Sequence, residues 1–414
     1  MSVLQSPPPP RVRGAARVPA ARARASAGPS HPVRRPVPGR VGPVSLGQVV
    51  VGQAALGAVV VALAAPRVVL AVVAVVAAAV LVLTFGRSGG RWLYESLARR
   101  RALTARRRAA GTPTADPRRD ALAALAPGFG VHAVSDRGHR MAVGTDAGGW
   151  FVVLEIAAPE GVGVGAVPPL PLAALARALA EGGVGLSGLQ VVTHTVPVTG
   201  AGLDERSPCM ASYRQLAGDR YGTLPAHRYT WLALRLDAAA GAAAAEPRGG
   251  GPEGVDRALV ASVARIGKVL SAAGLRHRAL DVADLLDALA LSCGLGVGAA
   301  VEERWEGVAF DGTVHVTWAL ASWPEQTRDD PGLLSRLSRL RAAPTSVSLT
   351  IGEPDDDRVS LRALVRISAP PAGVAAAVTA FEEGAATAGA RLQRLDGEQA
   401  AGLYATAPTG GGMR

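Results

Sequence analysis

Two long apolar runs near the beginning of the chain are its strongest pattern. They cover about 46–65 and 68–85, and Arg67, next to Pro66, is the only charged residue between Val44 and Phe85. At about 1.5 Å per residue, each run spans or nearly spans a hydrocarbon core of about 30 Å when it is helical. The pattern predicts a two-helix transmembrane hairpin over 44–86. Both runs together are much longer than the apolar core of a cleaved signal peptide, which is about 7 to 15 residues.

The segments on either side of these runs are rich in arginine. Residues 1–43 combine Arg, Pro and Ala with too little apolar content for a core, so we expect a disordered tail. The segment 87–115 is predicted to be a basic juxtamembrane segment. In it Leu93, Leu97 and Leu103 recur among arginines, which is typical of an amphipathic helix.

From residue 116 onward, short strand-like runs are mixed with helical patterns. This mixture predicts an α/β or α+β body over 116–408. Strands are expected at 130–135, 139–145, 149–157, 188–198, 227–236, 275–280, 312–321, 345–351, 358–368 and 390–395, and helices at 170–181, 253–273, 281–291 and 372–388.

A weak internal similarity links 272–281 to 387–396. Both segments follow a long Ala/Val-rich helical pattern and end in Leu-Asp. Two subdomains of similar topology would explain the match, and so would the alanine-rich background of the chain.

Charge is distributed unevenly along the chain. The formal net charge is +11, yet the first 108 residues hold seventeen basic residues and one acid, which leaves the rest with a net charge of −5. Arginines flank both outer ends of the predicted hairpin, so the positive-inside rule predicts a multi-pass protein of the inner (plasma) membrane with both termini in the cytoplasm. The same clusters would attract anionic lipid head groups. Nucleic acid is not expected as a partner, because the positive charge is not on the folded body.

Residues with the chemistry for a site do not form a recognisable motif. Gly161, Gly163 and Gly165 precede a proline-rich stretch, and Gly267-Lys268 lies inside a predicted helix, so neither forms a phosphate-binding loop. Other candidates are Cys209 and Cys293, the acids Glu302, Glu303, Glu306, Asp329, Asp330, Asp355, Asp356 and Asp357, and the histidines His132, His139, His194, His227, His277 and His315. Their spacing fits no metal motif or nucleophile elbow, so the sequence predicts no catalytic residue, no metal ligand and no cofactor.

In these features the chain resembles the EccE family, a membrane component of the type VII (ESX) secretion system of actinobacteria. The similarity lies in the basic tail, the hairpin and three segments, SYRQLAGDRYGTLPAHRYTWLALRLD at 212–237, GVDRALVASVARIGKVLSAAGLRHRALD at 254–281 and DGTVHVTWALASWP at 311–324. It implies a structural subunit of an inner-membrane secretion complex, beside components of the EccB, EccC and EccD kinds. It implies no active-site residues, and the last ninety residues do not match.

A second hypothesis is a membrane-tethered enzyme, such as a transferase acting on a lipid-linked substrate at the cytoplasmic face. It would use Asp355, Asp356 and Asp357 to hold a metal, whereas three consecutive acids between two strands are also typical of a solvated turn. Three tryptophans, Trp231, Trp318 and Trp323, fit either core packing or a partner-facing surface, and we expect them in the core. Ala54, Ala58 and Ala62 have the small-xxx-small spacing that allows transmembrane helices to approach closely.

Overall fold

The computed structural model describes most of the chain. The described residues are 40–41, 44–88, 91–108, 116–136, 138–157, 170–180, 185–197, 208, 211–212, 215, 225–296, 301–322, 344–352 and 360–411. The predicted disordered tail lies almost wholly outside them.

The N-terminal region consists of three helices and two small strand pairs. The elements are β1 (Arg40–Val41), β2 (Val44–Ser45), α1 (Leu46–Ala62), α2 (Arg67–Phe85), β3 (Arg87–Ser88), β4 (Arg91–Trp92) and α3 (Leu93–Arg108). The helices α1 and α2 contact each other along their length. Gln48 Nε2 donates to the Thr84 carbonyl oxygen at 2.9 Å, and a Cβ on Gly52 would lie 3.3 Å from the Phe85 ring. The small residue therefore lets the two helices approach.

Among the described residues, α2 is the helix that is long and apolar enough to cross a membrane, by length and composition. The preceding helix α1 is also apolar but has 17 residues. It ends at Ala62 and not at 65, and residues 63–65 form a turn. Pro66 explains the early end, because a proline disfavours helical geometry in the residue before it. The described part of the chain thus contains one candidate span, and the predicted pair of spans is not confirmed.

The body is built on one large antiparallel sheet. Its strands are β5 (Gly130–Asp136), β6 (His139–Asp146), β7 (Gly149–Ile156), β8 (Gly188–Pro197), β9 (Pro225–Asp237), β10 (His277–Ala279), β11 (Glu302–Glu303), β12 (Val308–Phe310), β13 (Thr313–Ser322), β14 (Thr345–Gly352), β15 (Leu361–Ala369) and β16 (Arg391–Arg394). The order is β11-β12-β13-β15-β14-β8-β9-β7-β6-β5, with β10 beside β7 and β16 beside β13. Each of these pairs is antiparallel.

The two halves of this sheet have the same connectivity. From the central pair outward, the first half has the order β8-β9-β7-β6-β5 and the second half has the order β14-β15-β13-β12-β11. Each strand of the first half thus has a counterpart six positions later in the numbering. In both halves a long helix precedes the last strand and a shorter helix follows it. The similar segments 272–281 and 387–396 contain β10 and β16, which occupy corresponding positions beside β7 and β13.

Helices cover both faces of the sheet. They are α4 (Pro117–Leu125), α5 (Leu172–Ala180), α6 (Ala238–Ala245), α7 (Gly251–Ala272), α8 (Val282–Cys293), α9 (Val374–Thr387) and α10 (Gln399–Thr406). One core cluster joins α5, α6, α7 and α9 to one face, and a second joins α4, α8 and α10 to the other. Aspartate side chains cap α4, α6 and α8 by accepting from a backbone N–H of the first turn. The body is therefore a three-layer arrangement.

The pattern of elements predicted for the body is largely confirmed. The expected meander at 130–157 forms β5, β6 and β7, and the ends of most later elements agree within two or three residues. Antiparallel pairing throughout fits the α+β alternative and not α/β. Trp231 and Trp318 are buried in the core as expected, whereas Trp323 lies outside the described residues. The prediction omitted α4, α6, α10, β11 and β12. The sequence of α6, AAAGAAAA, has no amphipathic period, and β11 and β12 have only two and three residues.

Candidate functional site

A layer of buried polar side chains lies on the face of the sheet that α8 and α10 cover. Every second residue of the central strands points to this face, while the residues between them enter the opposite apolar core. The buried polar residues here are Gln190, His194, Arg235, His315, Thr317, Ser346, Ser348, Arg366 and Ser368. Gln190 is central to the layer: its Nε2 donates to the Ala405 carbonyl and to Ser348 Oγ, both at 2.7 Å. The layer therefore fastens the C-terminal segment to the sheet.

Arg366 is fully buried in this layer. Its Nη2 donates to the Ser292 carbonyl at the end of α8 and to Ser346 Oγ, the latter at 2.7 Å. Its Nε and Nη1 have no hydrogen-bond partner among the described residues, and no carboxylate in that part of the chain forms an ion pair with it. Burial lowers the pKa of Arg366 because it penalises the charged form.

The groups around Arg366 are kept neutral. Burial, followed by the charge of Arg366, lowers the pKa of His194 to about 3 and that of His315 well below its usual value. Each histidine shares a hydrogen bond with a serine, His194 Nδ1 with Ser346 Oγ and His315 Nδ1 with Ser368 Oγ, both at 2.8 Å. Burial also raises the pKa of the Cys293 thiol to about 11. Burial therefore favours the protonated thiol, which is a weaker nucleophile than the thiolate.

A second buried arginine, Arg235, has a carboxylate partner. Its Nη1 donates to Asp146 Oδ2 at 2.9 Å and to the Thr409 carbonyl at 2.8 Å. The Tyr404 hydroxyl donates to the same Asp146 oxygen at 2.9 Å. Burial by itself would raise the pKa of Asp146, but the hydrogen bonds and charge of Arg235 outweigh it and hold the pKa below its usual value.

The accessible candidate site is a cleft of about 760 Å³ between the N-terminal helices and the body. The helical side of the cleft is lined by Leu83, Leu93 and Leu97, together with Arg99 and Arg100. Leu93, Leu97 and Arg100 are four and three residues apart on α3, so they lie on one face of the helix and line the same cleft.

The body side of the cleft is formed by β16 and the residues around it. The residues that line this side include Trp305, Glu382, Leu392, Arg394 and Asp396. Two contacts connect the sides: Arg99 Nε lies 3.2 Å from Glu398 Oε1, and the Arg100 guanidinium lies over the Trp305 ring, 5.0 Å from its centroid. The cleft thus has apolar, cationic and anionic lining groups.

The wall carrying Trp305 is fixed by a glycine. Gly397 has a positive φ of 77°, and a Cβ there would lie 2.5 Å from the Trp305 ring. Its N–H also donates to the Trp305 carbonyl at 2.8 Å. Only glycine allows both this backbone geometry and this close approach.

The acids proposed as metal ligands do not converge where they are described. Glu302 pairs with Arg304, Glu306 pairs with Arg394 at 3.0 Å, and Glu303 Oε1 accepts from the Ala400 N–H at 3.2 Å. Within the described ranges, no three His, Cys, Asp or Glu residues are grouped to hold a metal ion. The remaining acids, 329–330 and 355–357, lie outside those ranges, as do the glycines at 161–165 and Cys209.

The other described candidates have local partners. His132 Nε2 lies 3.0 Å from Asp256 Oδ1, and His277 Nδ1 lies 3.2 Å from the Leu275 carbonyl oxygen. Gly267 and Lys268 are inside α7 as predicted, and a Cβ on Gly267 would lie 2.8 Å from His277 Nε2. This glycine therefore serves helix–strand packing.

Sequence reasoning did not identify the residues that join the cleft. It treated Arg99 and Arg100 as part of a lipid-attracting cluster and did not consider Trp305 or Glu398. Arg99 and Glu398 are about 300 residues apart in the chain, and no local pattern links them. The only signal was the amphipathic period of α3, which indicates that one of its faces has a partner.

Comparison with known proteins gives one family match. Residues 224–320 match the family model "Putative type VII ESX secretion system translocon, EccE". No curated protein matches the chain significantly. The matched segment runs from β9 through α6, α7 and α8 to β13, so it contributes strands to both halves of the sheet.

Proposed function

We propose, from the match of residues 224–320 to the EccE family model, that the protein is a structural subunit of an inner-membrane type VII secretion complex. In this proposal it contributes assembly contacts and not catalysis. Its partners are the EccB, EccC and EccD kinds of component that the family resemblance implies.

The surface of the N-terminal helices supports a membrane anchor. Most of the exposed large hydrophobic side chains in the described chain lie between Leu46 and Phe85, while the remainder exposes Leu97, Leu172, Leu291 and Leu361. A contiguous apolar surface of this kind needs lipid or protein to cover it. We therefore propose that α1 and α2 form a transmembrane hairpin over 44–86, with Arg67 in the turn across the membrane and both termini in the cytoplasm.

The connection between anchor and body supports a positioning role. The helix α3 follows the anchor directly and contacts the body through the Arg99–Glu398 pair and the Arg100–Trp305 contact. Such a connection holds the body close to membrane partners and raises its effective concentration there, so that a modest interface is sufficient. This contact between α3 and the body is the observation on which the proposal chiefly rests, apart from the family match.

The domain organisation proposed from the sequence follows the same lines. A tail over 1–43 and a basic segment over 87–115 flank the hairpin, and the body extends over 116–408. We propose that the body arose by internal duplication, because its two halves repeat the same order of strands. Anionic head groups would be attracted to the arginines of both flanks.

One experiment separates the structural subunit from the tethered enzyme. In cells lacking the native protein, the combined change Asp355→Ser, Asp356→Ser and Asp357→Ser should leave secretion near normal. Deletion of 116–414 with the hairpin retained should abolish or destabilise assembly, measured by co-purification of the other components. Loss of secretion in the triple variant, with the complex still formed, would make the enzyme hypothesis the better one.

A second experiment addresses the anchor. Reporter fusions after Arg40 and Arg108 should give cytoplasmic signals, and a fusion at Arg67 should give an external one. Ala58 is exposed on α1 in this chain, so Ala58→Leu should weaken co-purification of partners without affecting insertion. Val61→Leu, three residues along the same face and a smaller change in volume, is the matched control. An external signal from the Arg108 fusion would contradict the proposed orientation.

A further inference from the structure

We propose that the cleft between α3 and the body binds one phospholipid from the cytoplasmic leaflet, with a headgroup that carries both a phosphate and a primary ammonium. The inference rests on the membrane position of α2 in the proposed function. Phosphatidylethanolamine has this headgroup chemistry.

The position of the cleft suits a lipid. Leu83 lies in the last turn of α2, two residues before the helix ends at Phe85, and it also lines the cleft. If α2 spans the bilayer, this end of the helix lies at the level of the head groups. The apolar lining continues from Leu83 into the cleft through Leu93, Leu97 and Leu392. A volume of about 760 Å³ is within the usual range of small-molecule sites.

The helical wall offers cationic donors to a phosphate. Arg99 uses its Nε for Glu398, while its Nη1 is buried without a hydrogen-bond partner in the described part of the chain. An unsatisfied guanidinium N–H of this kind is costly, and a phosphate oxygen would satisfy it. Arg100 lies on the same helix, where its guanidinium is oriented by Trp305. The two arginines are thus adjacent donors for one phosphate.

The body wall carries the opposite charge. Arg394 is paired there with Asp396 at 2.6 Å and with Glu306 at 3.0 Å. Glu382 is exposed, and its Oε1 accepts from Trp318 Nε1 at 3.0 Å. A purely anionic headgroup would face this carboxylate, whereas an ammonium group would be attracted to it. Opposite charges on opposite walls therefore favour a zwitterionic lipid with a hydrogen-bonding amine.

The test measures retained lipid on the intact chain. The full-length protein is placed in nanodiscs of phosphatidylcholine containing either phosphatidylethanolamine or phosphatidylglycerol, and bound lipid is counted by native mass spectrometry after release. We expect preferential retention of phosphatidylethanolamine. Arg99→Gln should lower this retention about tenfold, the equivalent of one charge-assisted hydrogen bond.

Three further variants make the result specific. Glu398→Gln breaks the same ion pair but keeps Arg99, so it should retain the lipid. Arg101→Gln removes a charge from an exposed position of the same helix and should also have no effect. Glu382→Gln keeps the acceptor for Trp318 and should abolish the preference for phosphatidylethanolamine over phosphatidylglycerol.

Equal retention of phosphatidylethanolamine and phosphatidylglycerol by the unaltered chain would overturn the proposal. The proposal would also be overturned if Arg99→Gln and Arg101→Gln retained the same amount of phosphatidylethanolamine. Co-purification of the secretion components is measured on the same membranes. Lost lipid selectivity with intact co-purification would contradict this inference alone. A chain that is recovered without membranes would contradict the proposed function.

Discussion

The two halves of the sheet each bury an arginine on the same face, but the surroundings of the two charges differ. Arg235, in the first half, is paired with Asp146 and also donates to a carbonyl beyond the end of α10. Arg366, in the second half, donates to a carbonyl at the end of α8 and has neutral neighbours. One repeated topology therefore accommodates buried charge in two ways, by neutralisation and by keeping the neighbouring groups uncharged.

This difference predicts different sensitivities of the two halves. Breaking an ion pair leaves an uncompensated charge in the core, which is more costly than never having had the pair. The surroundings of Arg235 should depend strongly on the Asp146 carboxylate, while the surroundings of Arg366 should respond to protonation of His194 on β8 and His315 on β13.

The largest effect is expected for Asp146→Ala. It leaves Arg235 buried without its counter-charge and should lower the free energy of unfolding by about 3 to 5 kcal/mol. Denaturant unfolding of the detergent-solubilised full chain measures the change. Asp256→Ala, which removes a carboxylate paired with the exposed His132, is the control and should cost far less. Similar costs for both variants would contradict the dependence of the buried Arg235 on its carboxylate.

A smaller effect should separate the two arginines themselves. Arg366→Met removes a buried charge with no carboxylate partner, so the lost hydrogen bonds are offset by relief of its desolvation. We expect a loss of less than about 1 kcal/mol, or a gain. Arg235→Met leaves Asp146 buried without its counter-charge and should lower the free energy of unfolding by about 3 kcal/mol or more. The same unfolding assay compares them, and a larger loss for Arg366→Met would show that its charge is stabilised by something other than the described residues.

Acidification should destabilise the surroundings of Arg366, which include His194 on β8 and His315 on β13. The histidines of an unfolded chain take up protons near pH 6.5, whereas His194 in the fold has a pKa of about 3. The unfolded state therefore binds more protons below pH 6.5, and stability that is complete above this pH falls with decreasing pH. The slope is up to about 1.4 kcal/mol per pH unit for each such histidine.

The matching variant for this pH dependence is His194→Gln, which keeps a hydrogen-bonding group near Ser346. The free energy of unfolding of this variant should fall less steeply than that of the unaltered chain between pH 6.5 and 5. Asp146 does not contribute to the slope in this range, because its pKa is lowered and its carboxylate stays ionised. Stability that is independent of pH in this range for the unaltered chain would contradict a neutral His194 in the fold.

The smallest effect is expected at the surface of the first half. Arg278 on β10 pairs with Glu155 and Asp284 at a partly exposed position, and Gln393 occupies the corresponding place in the similar segment of the second half. Arg278→Gln should therefore cost less than about 1 kcal/mol in the unfolding assay. A loss as large as that of Asp146→Ala would mean that this exposed pair is not screened by solvent.

The body strands could be predicted from sequence because their residues alternate with period two. The same alternation was misleading about exposure. In strands such as β14 and β15, Ser346, Ser348 and Arg366 have the polar period of a solvated face, yet they are buried beneath α8 and α10. The alternation of apolar and polar residues indicates which residues share a face of the sheet, but it does not indicate what covers that face. The cover depends on helices that are more than thirty residues away in the chain.

The cleft was beyond sequence reasoning for a similar reason. The arginines of α3 were visible as a charge cluster, while their partners Trp305 and Glu398 come from other regions of the chain. Side chains meet there only because the repeated topology brings β16 next to β13. The two apolar helices were predictable from composition, and the early end of α1 depended on the effect of Pro66 on the backbone.

The most direct test of a structural subunit is the composition of the complex that the unaltered chain forms. A tagged full-length chain is extracted from its membrane in mild detergent, and the proteins that remain with it are identified and quantified by mass spectrometry. Components of the EccB, EccC and EccD kinds should co-purify in fixed ratios. Recovery of the chain by itself, from cells that contain those components, would contradict the proposed role.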